Sequence, residues 1–320
     1  MLNALKNFPQ QFTYQPKIEN SKYYKKAKKC IVLGMGGSHL AADLLKIVAP
    51  ELKLVVHKNY NLPPLTKKEL KEYLIIANSY SGNTAEVVSG LKLALKYKLN
   101  IMVITTGGKL IKLAKNNNLP YIQMPAADIQ PRSALGFNIK ALIKALKLNK
   151  LLKETEALSH KLKPSSFKKR GYNLAQKLKN HIPLIYTNTK NISLAYNWKI
   201  KFNETSKIPA FYNTVPELNH NEMTGFDHTN ATKKLSTNFY FLFINDKKCY
   251  NKNIKRMQVL TKLYKKRGFK VINIELKGQN TLEKIFSNLL LADWTSYFLA
   301  LEYKGEPEEV PMVEEFKKLI

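Results

Sequence analysis

Apolar runs of about five residues recur along the chain. Each gives way to a polar or glycine-bearing turn and then to a stretch with apolar residues three and four apart. In the first half, residues 30–34, 52–57, 74–79, 101–105 and 120–124 read as strands, and 40–49, 85–97, 109–116 and 134–148 as helices. In the second half, 183–187, 239–244 and 270–274 read as strands. Helices are expected just before His181, over 193–203, 253–267 and 282–303, and from Pro311 onward. Strand runs that stay apolar, alternating with helices, belong to parallel sheets covered on both faces. The expected fold class is α/β, with two domains that are each a mostly parallel sheet flanked by helices. The most economical division is 1–150 and 151–320, joined by the Lys-rich helical stretch through Pro164. Residues up to Lys29 read as an extended arm with a basic helix or loop.

Composition changes this picture little. With 44% hydrophobic and 24% charged residues the chain is of the soluble globular kind. No stretch has the length of a membrane span, and the first thirty residues lack the apolar core of a secretory signal. The expected location is the cytoplasm. The formal charge of +30 invites a nucleic-acid reading, yet only four of the 53 basic residues are arginines. Dispersed lysines give a solvated surface and a field that draws in anions, whereas nucleic-acid surfaces concentrate charge and use arginine forks. No nucleic-acid or membrane partner is expected. Cys30 and Cys249 match no metal spacing, and Cys30 opens an apolar run as a buried thiol would. The histidines show no zinc spacing either, so neither metal nor cofactor is expected.

Two turns at strand ends carry the chemistry. Gly36 and Gly37 leave room for a bound group beside the backbone, and Ser38 opens the following helix. The second turn, Ser79-x-Ser81-Gly82-x-Thr84, sets three hydroxyls and a glycine within six residues. Hydroxyls together with free helix N–H groups can satisfy phosphate oxygens without a lysine. Serine also caps helices and glycine also turns chains, so either turn alone means little. Neither turn completes a dinucleotide fingerprint or a nucleotide P-loop. Both together, at neighbouring strand ends, make a sharper signal.

Gly34-Met35-Gly36-Gly37-Ser38, followed by Asn78-Ser79-Tyr80-Ser81-Gly82-Asn83-Thr84, resembles the sugar isomerase (SIS) domain family. Two further segments narrow the match: Trp198-Lys199-x-x-Phe202-Asn203-Glu204-x-x-Lys207-x-Pro209-Ala210 and Pro216-Glu217-Leu218-Asn219-His220-Asn221-Glu222. These are similar to the bifunctional phosphoglucose/phosphomannose isomerases, which carry two SIS domains. The resemblance covers essentially the whole chain. It implies interconversion of glucose 6-phosphate, and of mannose 6-phosphate with it, with fructose 6-phosphate through a cis-enediol. It also implies a substrate phosphate held by Gly36, Gly37, Ser38, Ser79, Ser81 and Thr84. Glu204 takes the place of the proton-transferring base, His220 that of the ring-opening residue, and Arg132 that of the arginine facing the enediolate. Thr295 resembles a hydroxyl position close to C2, and Lys317, with Lys318 beside it as the alternative, a lysine near the sugar ring. A homodimer is implied, with His220 reaching the site of the other subunit.

Such chemistry suits these residue types. A histidine near neutrality moves the ring-opening proton, a carboxylate shuttles a proton between C2 and C1, and a cation offsets enediolate charge. Arg132 is informative because this chain uses so little arginine. Two positions depart from the family pattern. His39 stands where another glycine is common, so it would crowd or contact the phosphate, and Asn197 stands where an arginine is common. Two alternatives from other classes are a sugar-phosphate-sensing DNA-binding regulator and a non-catalytic or amidotransferase-linked SIS protein. The first needs a helix-turn-helix module, for which about thirty residues ahead of the first strand are too few; in the second, an aminotransfer role would require a partner subunit.

Overall fold

The structure is a computed structural model and describes residues 1–319. The chain divides into two compact units, one spanning Lys6–Leu162 and the other Lys163–Ile320 with Met1–Leu5. Each is a parallel sheet flanked by helices.

The N-terminal unit is built from β1 (Lys29–Leu33), α1 (Gly37–Val48), β2 (Lys53–His57), β3 (Tyr73–Ser79), α2 (Ala85–Lys96), β4 (Asn100–Thr105), α3 (Gly108–Asn116), β5 (Tyr121–Gln123) and α4 (Leu135–Ala145). All strand pairs are parallel and the order is β2-β1-β3-β4-β5. Ile31, Leu33, Ile75, Ala77 and Val103 form one buried face with Val87 and Leu91 of α2 and Leu110 and Ala114 of α3. The intervening Val32, Ile76, Met102 and Ile104 are buried too, on the face turned the other way. Burial on both faces is why these strands read as unbroken apolar runs.

The first residues differ from the extended arm expected. Residues Phe8–Thr13 form a 3₁₀ turn, with Phe8 and Phe12 buried and packed edge to face at 5.6 Å. Two aromatic anchors four residues apart hold what an exposed arm would leave in water. The turn is pinned further by Lys140 of α4, a wholly buried lysine whose Nζ donates to the Phe12 carbonyl at 2.6 Å. Burial pushes the pKa of this ammonium down.

The C-terminal unit contains α5 (Pro164–Leu178), β6 (Ile182–Asn188), α6 (Ile192–Lys201), β7 (Phe211–Val215), β8 (Phe239–Asn245), α7 (Asn251–Lys266), β9 (Lys270–Glu275), α8 (Thr281–Glu302) and α9 (Pro311–Leu319). Its strands are parallel in the order β7-β6-β8-β9. The strand β7 was not expected. Its sequence, Phe-Tyr-Asn-Thr-Val, mixes polar and apolar residues because it is a sheet edge with Phe211 exposed. The core here is aromatic, with Tyr186, Phe241, Phe243 and Tyr264 clustered around Leu260 and Met257. In both sheets the strand order reverses beside the first strand, the place where α/β sheets bind ligands at their carboxyl ends.

Candidate active site

In the N-terminal unit the turns after β1 and β3 leave the sheet side by side, because these strands are paired with Leu33 opposite Ala77. Ser38 Oγ accepts the Tyr80 N–H at 2.9 Å, tying the first turn to the second. Within the second turn Ser79 Oγ and Thr84 Oγ1 share a hydrogen bond at 2.7 Å, and the Gly82 N–H donates to Ser79 Oγ at 3.1 Å. Ser38 and Ser79 are buried, Thr84 is half-buried, and Gly36 and Ser81 are exposed. Among the described residues no side chain caps the N-terminus of α1 or α2. Their first-turn N–H groups therefore present positive dipole ends beside the hydroxyls.

Glycine is required at two of these places. Gly82 adopts φ +70°, and a Cβ there would lie 1.9 Å from the Gly107 carbonyl oxygen. A Cβ on Gly37 would stand 2.6 Å from Arg132 N. That close approach brings the first turn against the loop that carries Arg132, whose side chain is buried.

Residues that sequence reasoning gave no role hold this assembly from behind. Asn78, fully buried at the end of β3, donates to the Ser38 carbonyl at 2.7 Å and to Asn138 Oδ1 at 3.0 Å, and Asn138 donates back at 3.2 Å. Gln11 donates to the Ser133 carbonyl at 2.7 Å and accepts the Gly136 N–H at 2.9 Å, clamping the Arg132 loop. An asparagine closing an otherwise apolar strand was the available signal for Asn78; nothing local pointed to Gln11.

His39, expected to crowd or contact a phosphate, has a buried ring whose Nδ1 pairs with Asp43 Oδ2 at 2.7 Å, one helical turn on. Lys58 Nζ reaches the same oxygen at 2.9 Å. Burial opposes charge on Asp43, but the hydrogen bonds from His39 and Lys58 prevail and hold its carboxyl below the usual value.

In the C-terminal unit Glu204 lies on a π-helical turn, Phe202–Ser206, that continues α6. Such turns interrupt the i→i−4 ladder and are frequent at functional sites. The turn ends at Lys207, in the left-handed region at φ 56°, and Lys207 Nζ donates to the Glu204 carbonyl at 2.7 Å. It is fastened to α8 by Ser206 Oγ donating to the Ser296 carbonyl at 2.8 Å and by a buried ion pair of Lys201 with Asp293. Glu204 itself is half-buried. Thr295 is fully buried in α8, its hydroxyl donating to the Leu291 carbonyl at 2.7 Å. Asn197 is also buried, donating to the Ser193 carbonyl at 2.7 Å. His220 is exposed at the end of a 3₁₀ turn, Glu217–His220, that follows β7. Lys317 is exposed on α9 and pairs with Glu314 at 2.7 Å. The structure thus gathers the cradle residues and Arg132 in one unit, and links the Glu204 turn to the Thr295 helix in the other.

Residues 167–320 match the family model of the bacterial phospho-glucose isomerase C-terminal SIS domain. The bifunctional phosphoglucose/phosphomannose isomerase of Aquifex aeolicus is 30% identical over 321 residues, covering 98% of this chain and 96% of that one. The protein of the same name from Caldicellulosiruptor bescii is 31% identical, covering 99% and 98%. Among solved structures, a hypothetical protein of Thermus thermophilus superposes with a TM-score of 0.71 at 15% identity, covering 99% of this chain and 86% of that one. Two units, each a parallel sheet flanked by helices, make this a protein of two-SIS-domain architecture. Within that class the chain belongs to the bifunctional phosphoglucose/phosphomannose isomerase family. Among the described residues no helix is long and apolar enough to cross a membrane.

Proposed function

We propose that this protein is a cytoplasmic aldose–ketose isomerase that interconverts glucose 6-phosphate and mannose 6-phosphate with fructose 6-phosphate. The observation that carries this reading is the pair of hydroxyl turns set side by side where the strand order reverses. Ser38, Ser79, Ser81 and Thr84, the backbone at Gly36 and Gly37, and the N-termini of α1 and α2 suit a phosphate dianion. His220, supplied from the second copy in a homodimer, moves the O1 proton to the ring oxygen and opens the ring. Glu204 then takes the C2 proton, and the carbonyl oxygen at C1 becomes an enediol oxygen while Arg132 offsets its negative charge. Return of the proton to C1, as the O2 hydroxyl proton passes to O1 and C2–O becomes the carbonyl, gives the ketose. Lys317 assists at the ring. Glucose and mannose 6-phosphates differ only at C2 and share this enediol, so one base serves both, and the small Thr295 leaves room for rotation at C2.

The test is to supply each aldose 6-phosphate to the purified protein and assay fructose 6-phosphate. Turnover of both is expected, and Glu204→Gln should lower kcat by about 10²–10⁴-fold. No ketose from either substrate would overturn the proposed reaction; full activity in Glu204→Gln would overturn the proposed base.

A further inference from the structure

The segment that carries His220 is held by a carboxylate to which the mechanism above gives no part. Leu218 and Phe226 are buried, and Phe226 packs edge to face on Phe241 at 4.9 Å. These two anchor the ends of the segment. Its middle is held by Glu222. Tyr186 of β6 is fully buried, boxed by Phe243 at 5.4 Å and Phe241 at 5.7 Å, and its hydroxyl leaves that apolar box to donate to Glu222 Oε1 at 2.5 Å. Asn213, the register partner of Tyr186 on β7, donates its Nδ2 to Glu222 Oε2. The Asn213 amide cannot turn over without loss, because its Oδ1 accepts the Thr214 N–H at 2.7 Å. Two neutral donors on adjacent strands therefore converge on two oxygens, an arrangement that a carboxylate fits and an amide, with one oxygen, does not. Burial drives the Tyr186 pKa upward, so its hydroxyl stays a donor across the working range. Next along the chain, the Glu222 N–H donates to Asn221 Oδ1 at 2.5 Å, and Asn221 Nδ2 donates to Glu217 Oε1 at 2.8 Å. His220 sits between these two fastenings with its side chain exposed.

We infer that Glu222 is a positioning residue: through Tyr186 and Asn213 it fixes the 219–225 segment to the sheet and so sets where His220 presents its ring. The consequence for catalysis rests on the isomerase reading given above; the anchoring does not. Misplacing an acid–base group by about 1 Å costs on the order of 10²-fold in rate. Glu222→Gln keeps the shape but opposes a donor to a donor, and Tyr186→Phe keeps the aromatic packing but removes one bond.

Three measurements on the full chain decide the matter. Hydrogen–deuterium exchange should quicken about tenfold or more over 217–226 in Glu222→Gln and in Tyr186→Phe, with the β6 and β8 amides unchanged. With hexose 6-phosphate, Glu222→Gln should lower kcat about 10–100-fold and shift KM less than about threefold. In a His220→Asn background the same substitution should slow turnover less than about twofold further, because the group it positions is already gone. Unchanged exchange over 217–226 overturns the anchoring. An equal fold-loss with and without His220 overturns positioning and leaves a merely structural carboxylate. If the native protein isomerises neither aldose phosphate, the function proposed above fails, while the exchange measurement still decides what Glu222 holds.

Discussion

Behind the hydroxyl turns of the N-terminal sheet lies an amide pair, Asn78 with Asn138; behind the Glu204 turn of the C-terminal unit lies an ion pair, Lys201 with Asp293. The end of β8, which matches β3 in strand order, repeats the contrast: Asp246 accepts from Lys284 Nζ at 2.9 Å and from the Lys248 N–H at 3.0 Å. One half supports its strand ends with neutral groups and glycine, the other with paired charges. If these turns hold a dianion, as proposed above, neutral supports suit them, since a fixed carboxylate behind them would oppose the ligand. Asp43, the buried carboxylate of α1, is held ionised and neutralised by Lys58. Beside Glu204, by contrast, a buried ion pair stands next to the π turn.

The contrast breaks hardest at the ion pair. Lys201→Met leaves the Asp293 carboxylate buried without its lysine and should cost about 3–5 kcal/mol, against about 1–3 kcal/mol for Asn78→Ala, both read from denaturant midpoints. Equal losses would erase the distinction between ionic and neutral supports. Next in size is the turn itself. Gly82→Ala forces a side chain into φ +70° and against Gly107, an expected loss of about 2–4 kcal/mol, whereas Lys247→Ala in the corresponding turn after β8 should stay within about 0.5 kcal/mol. Thermal melting of the two variants checks this, and a silent Gly82→Ala would remove the case for glycine there.

The smallest effect is expected from pH. Both Asp43 and Asp246 are buried against their charge, yet hydrogen bonds from His39 and Lys58, and from Lys284, hold their carboxyls below the unfolded value. A carboxyl with a depressed folded pKa contributes stability that is full above the unfolded pKa, near 4, and is lost as pH falls through the folded one. Melting temperature should therefore be level from pH 7 to about 5 and decline below about 4. Lys284→Met should move that decline to higher pH than Lys58→Met does, because Lys284 is nearly buried and Lys58 is 41% exposed with His39 still on Asp43. The reverse order would mean that exposure does not govern how strongly each lysine holds its carboxylate.

The fold was legible where burial is two-sided. β1, β3, β4, β6 and β8 are apolar on both faces, and each was expected within a few residues of where it lies. β7 was hidden because an edge strand with Phe211 in solvent and Asn213 turned to Glu222 has no continuous apolar run. The hydroxyls and glycines proposed to hold a phosphate stand out in the sequence because each turn is a short local segment. The supports are not readable in that way: Gln11 meets Ser133 across 122 positions beside the Arg132 loop, and Tyr186 meets Glu222 across 36 under the His220 segment, contacts that only the folded chain creates. The π turn under Glu204 leaves no composition of its own; it lies where the chain after α6 is tied to α8.

Lys140 gives the molecule an internal clock. The chain has 49 lysines, and an amine-directed acylating reagent at neutral pH reaches the solvated ones at once. The Lys140 amine is shut off from solvent and engaged with the Phe12 carbonyl, so it can be acylated only once that contact opens. Its rate of covalent modification therefore reports how often the contact between Lys140 and that turn opens.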